Sequence, residues 1–381
     1  MSFSPLDTIT DFLEPLNSIH VSYDDSGFSQ QQIGSHIDFY KFSFPDVASA
    51  DLIIIGCAES RGAGVTKFDN AGLNAVRRHF YQTYQWHTEV RIADIGNLKI
   101  GAKLEDTYSA LQQVLSELND LNKKVVILGG THDLMMAQYN VYAIKQKIIE
   151  ATCVDAFLDM NMESRFPSDN FLTHMFMNEP NYLKHYNHIG FQSYFVHPAM
   201  LETLDKLRFD FFRVGMVKEH IEAVEPFIRN SQIFSFDITA IQYSSAPANR
   251  ITPNGFNGEE ACTLMQYAGM SGLANTIGIY GYNYKQDFDD LTAKQISQML
   301  WYLLDGIQKG KHEAPLEQNE SFNEFRLMFA DFETKFLQSK KTQRWWMQLP
   351  DQSFVACSSK DYATALNNEI PERWLRAVER S

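Results

Sequence analysis

The fold is decided by one stretch in the first half of the chain, Lys124-Val-Val-Ile-Leu-Gly-Gly-Thr-His-Asp133. Its apolar run, bounded by glycine, is typical of a strand that is buried on both faces. Two polar side chains, His132 and Asp133, follow the glycines after one intervening residue, Thr131. In parallel sheets the ligand site lies beyond the carboxyl ends of the strands, so this stretch predicts both a strand and the start of a site.

Similar short apolar runs recur along the chain. Together with the first they give about eight predicted strands: 51–56, 90–94, 124–129, 151–155, 188–191, 211–214, 232–237 and 276–280. Amphipathic stretches such as 104–121 and 290–307 lie between them, with apolar residues at helical spacing. Alternating strands and helices predict a three-layer α/β/α architecture with a mainly parallel sheet of about eight strands.

The chain shows no internal repeat and no Pro/Gly-rich linker that would divide it. We therefore expect a single domain over 1–381, with a core at about 50–305, an N-terminal extension at 1–49 and C-terminal decoration at about 310–381. The tryptophan-rich segments at 344–350 and 371–374 either pack on the core or form a subunit contact, and packing is favoured.

The charge balance argues against a nucleic-acid partner. The chain carries 33 basic and 47 acidic residues, a formal charge of −14, and no basic stripe that could follow a phosphate backbone. Its apolar runs are too short to cross a membrane. The N-terminus lacks a secretion signal, and the four cysteines show no CxxC spacing. These features predict a cytoplasmic protein with reduced thiols.

Four residues stand just past three predicted strands and offer imidazole or carboxylate donors: His132, Asp155, Asp159 and Asp237. Carboxylates brought together without a cation repel one another, and a divalent metal such as Mn²⁺ is the usual solution. The alternative is that each aspartate only caps the helix that follows its strand.

Three motifs carry a family resemblance. Residues 129–134 resemble the Gly-Gly-x-His motif of arginases, agmatinases and formimidoylglutamases, 155–159 resemble their Asp-Ala-His-x-Asp, and 235–239 resemble their Ser-x-Asp-x-Asp. Order and spacing agree, and the resemblance spans about 50–305. The chain is identified as a divergent, formimidoylglutamase-like member of this ureohydrolase family, which implies the arginase fold.

The resemblance also implies a metal site. In the family two Mn²⁺ ions hold a hydroxide that attacks a guanidinium or formimino carbon. The ligands of one metal match His132, Asp155, Asp159 and Asp237, which are all present. The second metal shares Asp155 and Asp237, but its own histidine and aspartate are replaced by Phe157 and Thr239. Neither replacement is a good metal ligand.

The substrate side departs from the family as well. The glutamate that grips the guanidinium is replaced by Gly281. Asn161, Ser168 and Asn170 stand where the resemblance implies contacts to the amino-acid end of the substrate. His174 lies two residues later than the family's proton-shuttling histidine, so a plain solvated side chain is the alternative to a catalytic role.

Three functional hypotheses remain. The first is a hydrolase of a linear amidine, with one divalent metal (Mn²⁺ as the first choice), a guanidino or formimino amino acid as substrate, and Asp155, Asp237 and His174 as catalytic residues. The second is a non-catalytic arginase-fold protein, metal-poor or metal-free, with a binding or regulatory role. The third is an interaction protein that acts through its aromatic C-terminus. Family members are commonly homo-oligomers, and the resemblance implies the same here.

Overall fold

The main sheet contains the strands that the sequence predicts. A computed structural model describes residues 8–22, 27–67, 69–329 and 332–379. Its ten-stranded main sheet contains β1 (Leu13–Glu14), β2 (Ile37–Phe39), β3 (Leu52–Gly56), β4 (Ile92–Leu98), β5 (Lys124–Leu128), β6 (Ile149–Val154), β7 (Leu183–Phe191), β8 (Asp210–Arg213), β9 (Ile233–Asp237) and β10 (Thr276–Tyr280).

Strands β3 to β10 are parallel and lie in the order β4-β3-β5-β10-β9-β6-β7-β8. These are the eight predicted strands, with ends that differ by a few residues; β7 begins earlier than expected. The N-terminal extension adds β1, antiparallel to β4, and β2, parallel to it. The predicted α/β class with a mainly parallel sheet is confirmed.

Helices cover both faces of this sheet. They are α1 (Ser18–Val21), α2 (Ala71–Gln82), α3 (Leu104–Asp120), α4 (Met135–Ala143), α5 (Phe171–Phe176), α6 (Pro198–Lys206), α7 (Val214–Glu219), α8 (Glu225–Asn230), α9 (Gly258–Met270) and α10 (Leu291–Gly310). Successive residues of β3 point to opposite faces: Ile54 joins one apolar core with α2, α9 and α10, and Ile55 joins the other with α3 and α4. Within the described residues, no helix combines the length and apolarity needed to cross a membrane.

The C-terminal region forms a second sheet that the sequence did not predict. Its four antiparallel strands are β11 (Phe322–Phe329), β12 (Phe332–Ser339), β13 (Trp345–Gln348) and β14 (Phe354–Cys357). Helices α11 (Ser359–Leu366) and α12 (Glu372–Glu379) follow. The buried guanidinium of Arg229 lies 4.4 Å from the ring centroid of Trp346 and donates to the Cys357 carbonyl at 3.2 Å. The tryptophan-rich segment therefore packs on the core.

The turn after β5 brings His132 over the edge of the sheet. Gly129 and Gly130 have φ of 85° and 81°, the left-handed region that favours glycine. A Cβ atom at Gly130 would lie 2.2 Å from the Leu134 side chain. The two glycines thus permit the tight reversal that places His132, at the start of a short 3-10 helix, beside the ends of β6 and β9.

Candidate metal centre

Four side chains converge at the carboxyl ends of β5, β6 and β9. The Nδ1 atom of His132 lies 2.8 Å from Asp155 Oδ2, 3.3 Å from Asp159 Oδ2 and 3.8 Å from Asp237 Oδ2. We call these four residues the histidine cluster. One imidazole nitrogen facing three carboxylates is a donor set of the kind that binds Mn²⁺ or another divalent cation of similar preference. The predicted first-metal residues are therefore brought together.

The carboxylates that the second metal would share are already engaged. The Oδ1 atom of Asp155 accepts hydrogen bonds from the Thr239 hydroxyl at 2.5 Å and from the Phe157 amide at 3.1 Å. The Oδ1 atom of Asp237 accepts from the Thr239 amide at 2.8 Å. Each carboxylate thus turns one oxygen to His132 and the other to Thr239 or its neighbours. The residues present fit one metal ion and do not fit a second.

The other nitrogen of His132 has its own partners. Its Nε2 atom lies 3.0 Å from the hydroxyl of Ser235 and 3.5 Å from the thiol of Cys153. A histidine that binds a metal through one nitrogen needs an acceptor for the N–H of the other, and the Ser235 oxygen provides one. Sequence reasoning assigned no role to Ser235, although it shares a face of β9 with Asp237.

The three aspartates of the histidine cluster are buried close together, and their mutual repulsion shifts their pKa values. Burial and the neighbouring charge of Asp155 raise the pKa of Asp159 well above its usual value and that of Asp237 to about 6. Burial alone would also raise the pKa of Asp155, but hydrogen bonding and charge from His132 lower it. Burial opposes protonation of His132, yet Cys153 and the carboxylates raise its pKa. A divalent cation would relieve this like-charge repulsion.

Phe157 and Gly281, which replace a second-metal ligand and the substrate glutamate of the family, both lie beside the histidine cluster. The ring of Phe157 stacks on Phe195, with centroids 4.8 Å apart and planes 16° apart. Gly281 follows β10 with φ 80°. A Cβ atom on it would lie 2.6 Å from an oxygen of Asp237. No side chain can stand at position 281 without displacing that carboxylate.

A cavity of about 730 Å³ opens over the histidine cluster. Two of the predicted substrate-binding residues, Asn161 and Ser168, line it. Asn170 and His174 are not among its lining residues. The amide of Asn170 instead donates to the Ser164 carbonyl at 2.9 Å, and His174 is exposed on α5.

Sequence reasoning missed several residues that line the cavity: Lys67, Phe195, His197, Tyr282 and Lys285. Phe195 and His197 lie between β7 and α6, in a loop that carries no recognisable motif. Tyr282 and Lys285 follow Gly281 within four residues. The departure from the family's substrate motif at Gly281 was therefore the one sequence signal that pointed to them.

A second polar cluster lies at the same end of the sheet, between α2 and β4. Arg77 donates to both oxygens of Asp94, at 2.7 and 3.1 Å, and to the side chain of Asn97 at 2.6 Å. The Tyr81 hydroxyl donates to Asp94 at 2.6 Å. These four residues, the arginine cluster, are buried. The Asp-Ile-Gly-Asn segment at 94–97 thus has a structural role.

Comparisons with known proteins agree with this geometry. No curated protein matches the chain in sequence. The sequence model of the arginase family matches residues 50–305. The solved structures that resemble the chain include a Trypanosoma cruzi formiminoglutamase with Mn²⁺ (15% identity, TM-score 0.61, covering 70% of this chain and 99% of that one).

Two further structures are similar. The formimidoylglutamase of Bacillus subtilis shares 16% identity with a TM-score of 0.63, over 75% of this chain and 93% of its own. The agmatine ureohydrolase of Thermoplasma volcanium shares 17% identity with a TM-score of 0.59, over 75% and 98%. Such identities establish the fold and not the activity. The family match covers more than half of the chain and includes all three metal motifs, so the chain belongs to the arginase family.

Proposed function

We propose that this protein is a hydrolase that uses one divalent metal ion, with Mn²⁺ as the first choice, to cleave a carbon–nitrogen bond in a small linear substrate of the amidine or amide type. The observation that carries the proposal is the position of His132 Nδ1, which faces three carboxylate oxygens at 2.8, 3.3 and 3.8 Å on the floor of the cavity. His132, Asp155, Asp159 and Asp237 would hold the metal.

A metal bound there would lower the pKa of water and polarise the bond to be cleaved. The chain's own residues supply the rest. Ser235 orients the imidazole of His132 through Nε2. Thr239 holds the outer oxygen of Asp155, so that this carboxylate keeps its second oxygen directed at the metal position. Asn161 and Ser168 line the cavity and are placed to contact the substrate. We assign no catalytic step to His174, which lies outside the lining.

Metal content tests the proposal directly. The purified full-length protein, reconstituted with Mn²⁺ and dialysed, is expected to bind one equivalent per chain, measured by inductively coupled plasma mass spectrometry. The His132→Ala variant should lose this metal. The matched control is His185→Ala, because His185 is also buried and lies 2.8 Å from a carboxylate, that of Asp210. If the folded wild type takes up no transition metal, the proposal is wrong and the non-catalytic hypothesis replaces it.

The double variant Phe157→His with Thr239→Asp sharpens the assignment. It restores both missing ligand types and removes the Thr239 hydroxyl from Asp155, so metal stoichiometry should rise from one to two. An unchanged stoichiometry in a folded variant would contradict the assignment of these positions to the second metal. Ammonia and urea assays with N-formiminoglutamate, arginine and agmatine then test turnover by the wild type.

A further inference from the structure

Strand β11 lies at an open edge of the second sheet. The order of that sheet is β11-β12-β13-β14, and β11 pairs along its whole length with β12. Within the residues that the structure describes, no strand pairs with its other side. An eight-residue edge strand without proline is a template for a further strand, because its outer N–H and C=O groups lack partners in a ladder.

The hydrogen bonds of the ladder show which residues of β11 face this edge. The Lys340 amide donates to the Ser321 carbonyl at 3.0 Å, and the register of β11 and β12 continues from this pair without a shift. In an antiparallel pair, residues that bond to the neighbouring strand alternate with residues that point away from it. Odd-numbered residues of β11 therefore bond to β12. The even-numbered residues present their backbone groups to the open edge: Phe322, Glu324, Arg326 and Met328.

The side chains of these even-numbered residues carry opposite charges at neighbouring positions. Glu324 and Arg326 lie on one exposed face, where Arg326 Nε donates to Glu324 Oε1 at 2.8 Å. Arg326 stands directly opposite Lys335 of β12, which has the same charge. A partner strand that placed a carboxylate on the free side of Arg326 would therefore offset the repulsion from Lys335.

One antiparallel pairing of β11 with a second copy of itself satisfies both the hydrogen bonds and the charges. Outward-facing residues must bond to outward-facing residues, so the three registers that overlap most place Glu324 opposite itself, Arg326 or Met328. Glu324 opposite itself sets like charges against each other, and Glu324 opposite Met328 sets Arg326 opposite itself. Glu324 opposite Arg326 gives two unlike pairs related by a two-fold axis. In this register the remaining pairs include Phe322 opposite Met328 and Phe325 opposite itself.

The other face of β11 also suits a second copy. Phe325 and Leu327 are half-buried on the face covered by α11. Tyr362 of α11 contacts Phe325 but stacks on Trp345 of β13, with ring centroids 4.7 Å apart, so the helix lies over the inner strands. A neighbouring strand would cover the exposed parts of Phe325 and Leu327.

We propose that two copies of this chain associate through β11, with Glu324 of each copy opposite Arg326 of the other, so that the two four-stranded sheets form one sheet of eight strands. The opposite charges select this register, and the backbone hydrogen bonds and the covered apolar side chains supply the affinity. The inference does not depend on the proposed function, because no residue of the histidine cluster takes part.

Charge reversal tests the interface. Analytical ultracentrifugation of the full-length protein at about 0.15 M salt, where charges are screened beyond about 8 Å, measures the dissociation constant of the dimer. Glu324→Arg sets like charges against each other in both halves of the interface and should raise that constant at least tenfold, as should Arg326→Glu. The double variant Glu324→Arg with Arg326→Glu restores two unlike pairs and should return to within threefold of the wild type. Arg326→Met only removes an exposed charge, so its effect should stay below threefold.

The matched control is Glu202→Arg, the same change at an exposed position of α6, which should leave the dissociation constant unchanged. Circular dichroism confirms that each variant is folded. Three results would each overturn the inference: a wild type that stays monomeric at about 100 μM, a folded Glu324→Arg variant that dimerises as the wild type does, or a double variant that does not recover.

A cysteine at the two-fold axis tests the register independently. Phe325 would face the partner's Phe325 in a pair without hydrogen bonds, where Cα atoms lie about 4.5 Å apart, a distance that a disulfide spans. Phe325→Cys should therefore form an intermolecular disulfide on oxidation with diamide, seen on non-reducing gels. Leu327→Cys should not, because the two copies of position 327 would lie about 14 Å apart. The native cysteines are all buried, so the oxidised wild type is the background. Equal cross-linking of the two variants, or none in either, contradicts the register.

Discussion

The histidine cluster and the arginine cluster lie at the same end of one sheet, and both are buried, yet their charges are arranged in opposite ways. In the arginine cluster one guanidinium meets one carboxylate, and Asn97, Tyr81 and the Gly96 carbonyl complete the hydrogen bonds. In the histidine cluster three carboxylates face one imidazole. The charges of the arginine cluster balance one another within the chain. The charges of the histidine cluster would be balanced by the divalent cation that we propose, and this difference separates a structural cluster from a candidate site.

The largest expected effect concerns the arginine cluster. Arg77→Met would leave Asp94 buried without its cation and should lower the free energy of unfolding by about 3–5 kcal/mol, measured by urea denaturation. The control is Arg326→Met, whose side chain is 63% exposed and should change stability by no more than about 0.5 kcal/mol. A loss below about 1 kcal/mol in Arg77→Met would mean that this cluster is not a structural unit.

The next effect is a pH dependence confined to the histidine cluster. The pKa of Asp237 is about 6 in the folded protein. It is about 3.9 in an unfolded chain. The folded state therefore binds more protons at this carboxyl between these values, and Asp237 alone should cost the chelated protein up to about 3 kcal/mol of stability as pH rises from about 4 to 6.

Asp237→Asn should flatten that slope, whereas Asp120→Asn, at an exposed carboxylate, should not. With Mn²⁺ added, stability should instead rise with pH, because protons compete with the metal for the same carboxylate oxygens. Thermal unfolding is followed across this pH range for the chelated wild type, the two variants and the protein with Mn²⁺ added. A chelated wild type whose stability rises from pH 4 to 6 as steeply as that of Asp237→Asn would contradict the charge crowding.

The smallest effect tests the hydroxyl that holds Asp155. Thr239→Val removes the hydrogen bond to Asp155 Oδ1 and should destabilise the chelated protein by about 1.5 kcal/mol, as measured in urea. Metal stoichiometry should remain one, because no ligand is removed. Thr203→Val, which removes a hydroxyl contact to a helix carbonyl on the surface, is the matched control. A second equivalent of metal in Thr239→Val would show that the hydroxyl alone excludes it.

The sequence predicted the parts of the fold that depend on buried strands. Each of β3 to β10 contains a short apolar run, densest in β3 and β5, and such runs stand out in a sequence. Strands β1 and β2 are only two and three residues long, so they carry too few residues for a pattern. Strand β11 mixes exposed Glu324 and Arg326 with apolar neighbours because its two faces have different surroundings, and the segment was interpreted as decoration.

The candidate site was likewise predictable only in part from the sequence. The residues of the histidine cluster stand directly after strands, where sheet geometry makes their convergence predictable. Thr239 was recognised as a lost ligand, but its hydrogen bond to Asp155 depends on a side-chain rotamer that no spacing encodes. Phe195 comes from a loop between β7 and α6, and only the folded chain brings it onto Phe157.

Gly281 also limits which side chains position 281 could carry. A Cβ atom at that position would lie 2.6 Å from the carboxylate of Asp237, and the backbone there is left-handed. A glutamate introduced at position 281 would therefore displace the Asp237 carboxylate of the histidine cluster before it could hold a guanidinium. A carboxylate side chain at position 281 therefore requires a different backbone turn after β10 together with a shift of Asp237, so no single substitution can install one there.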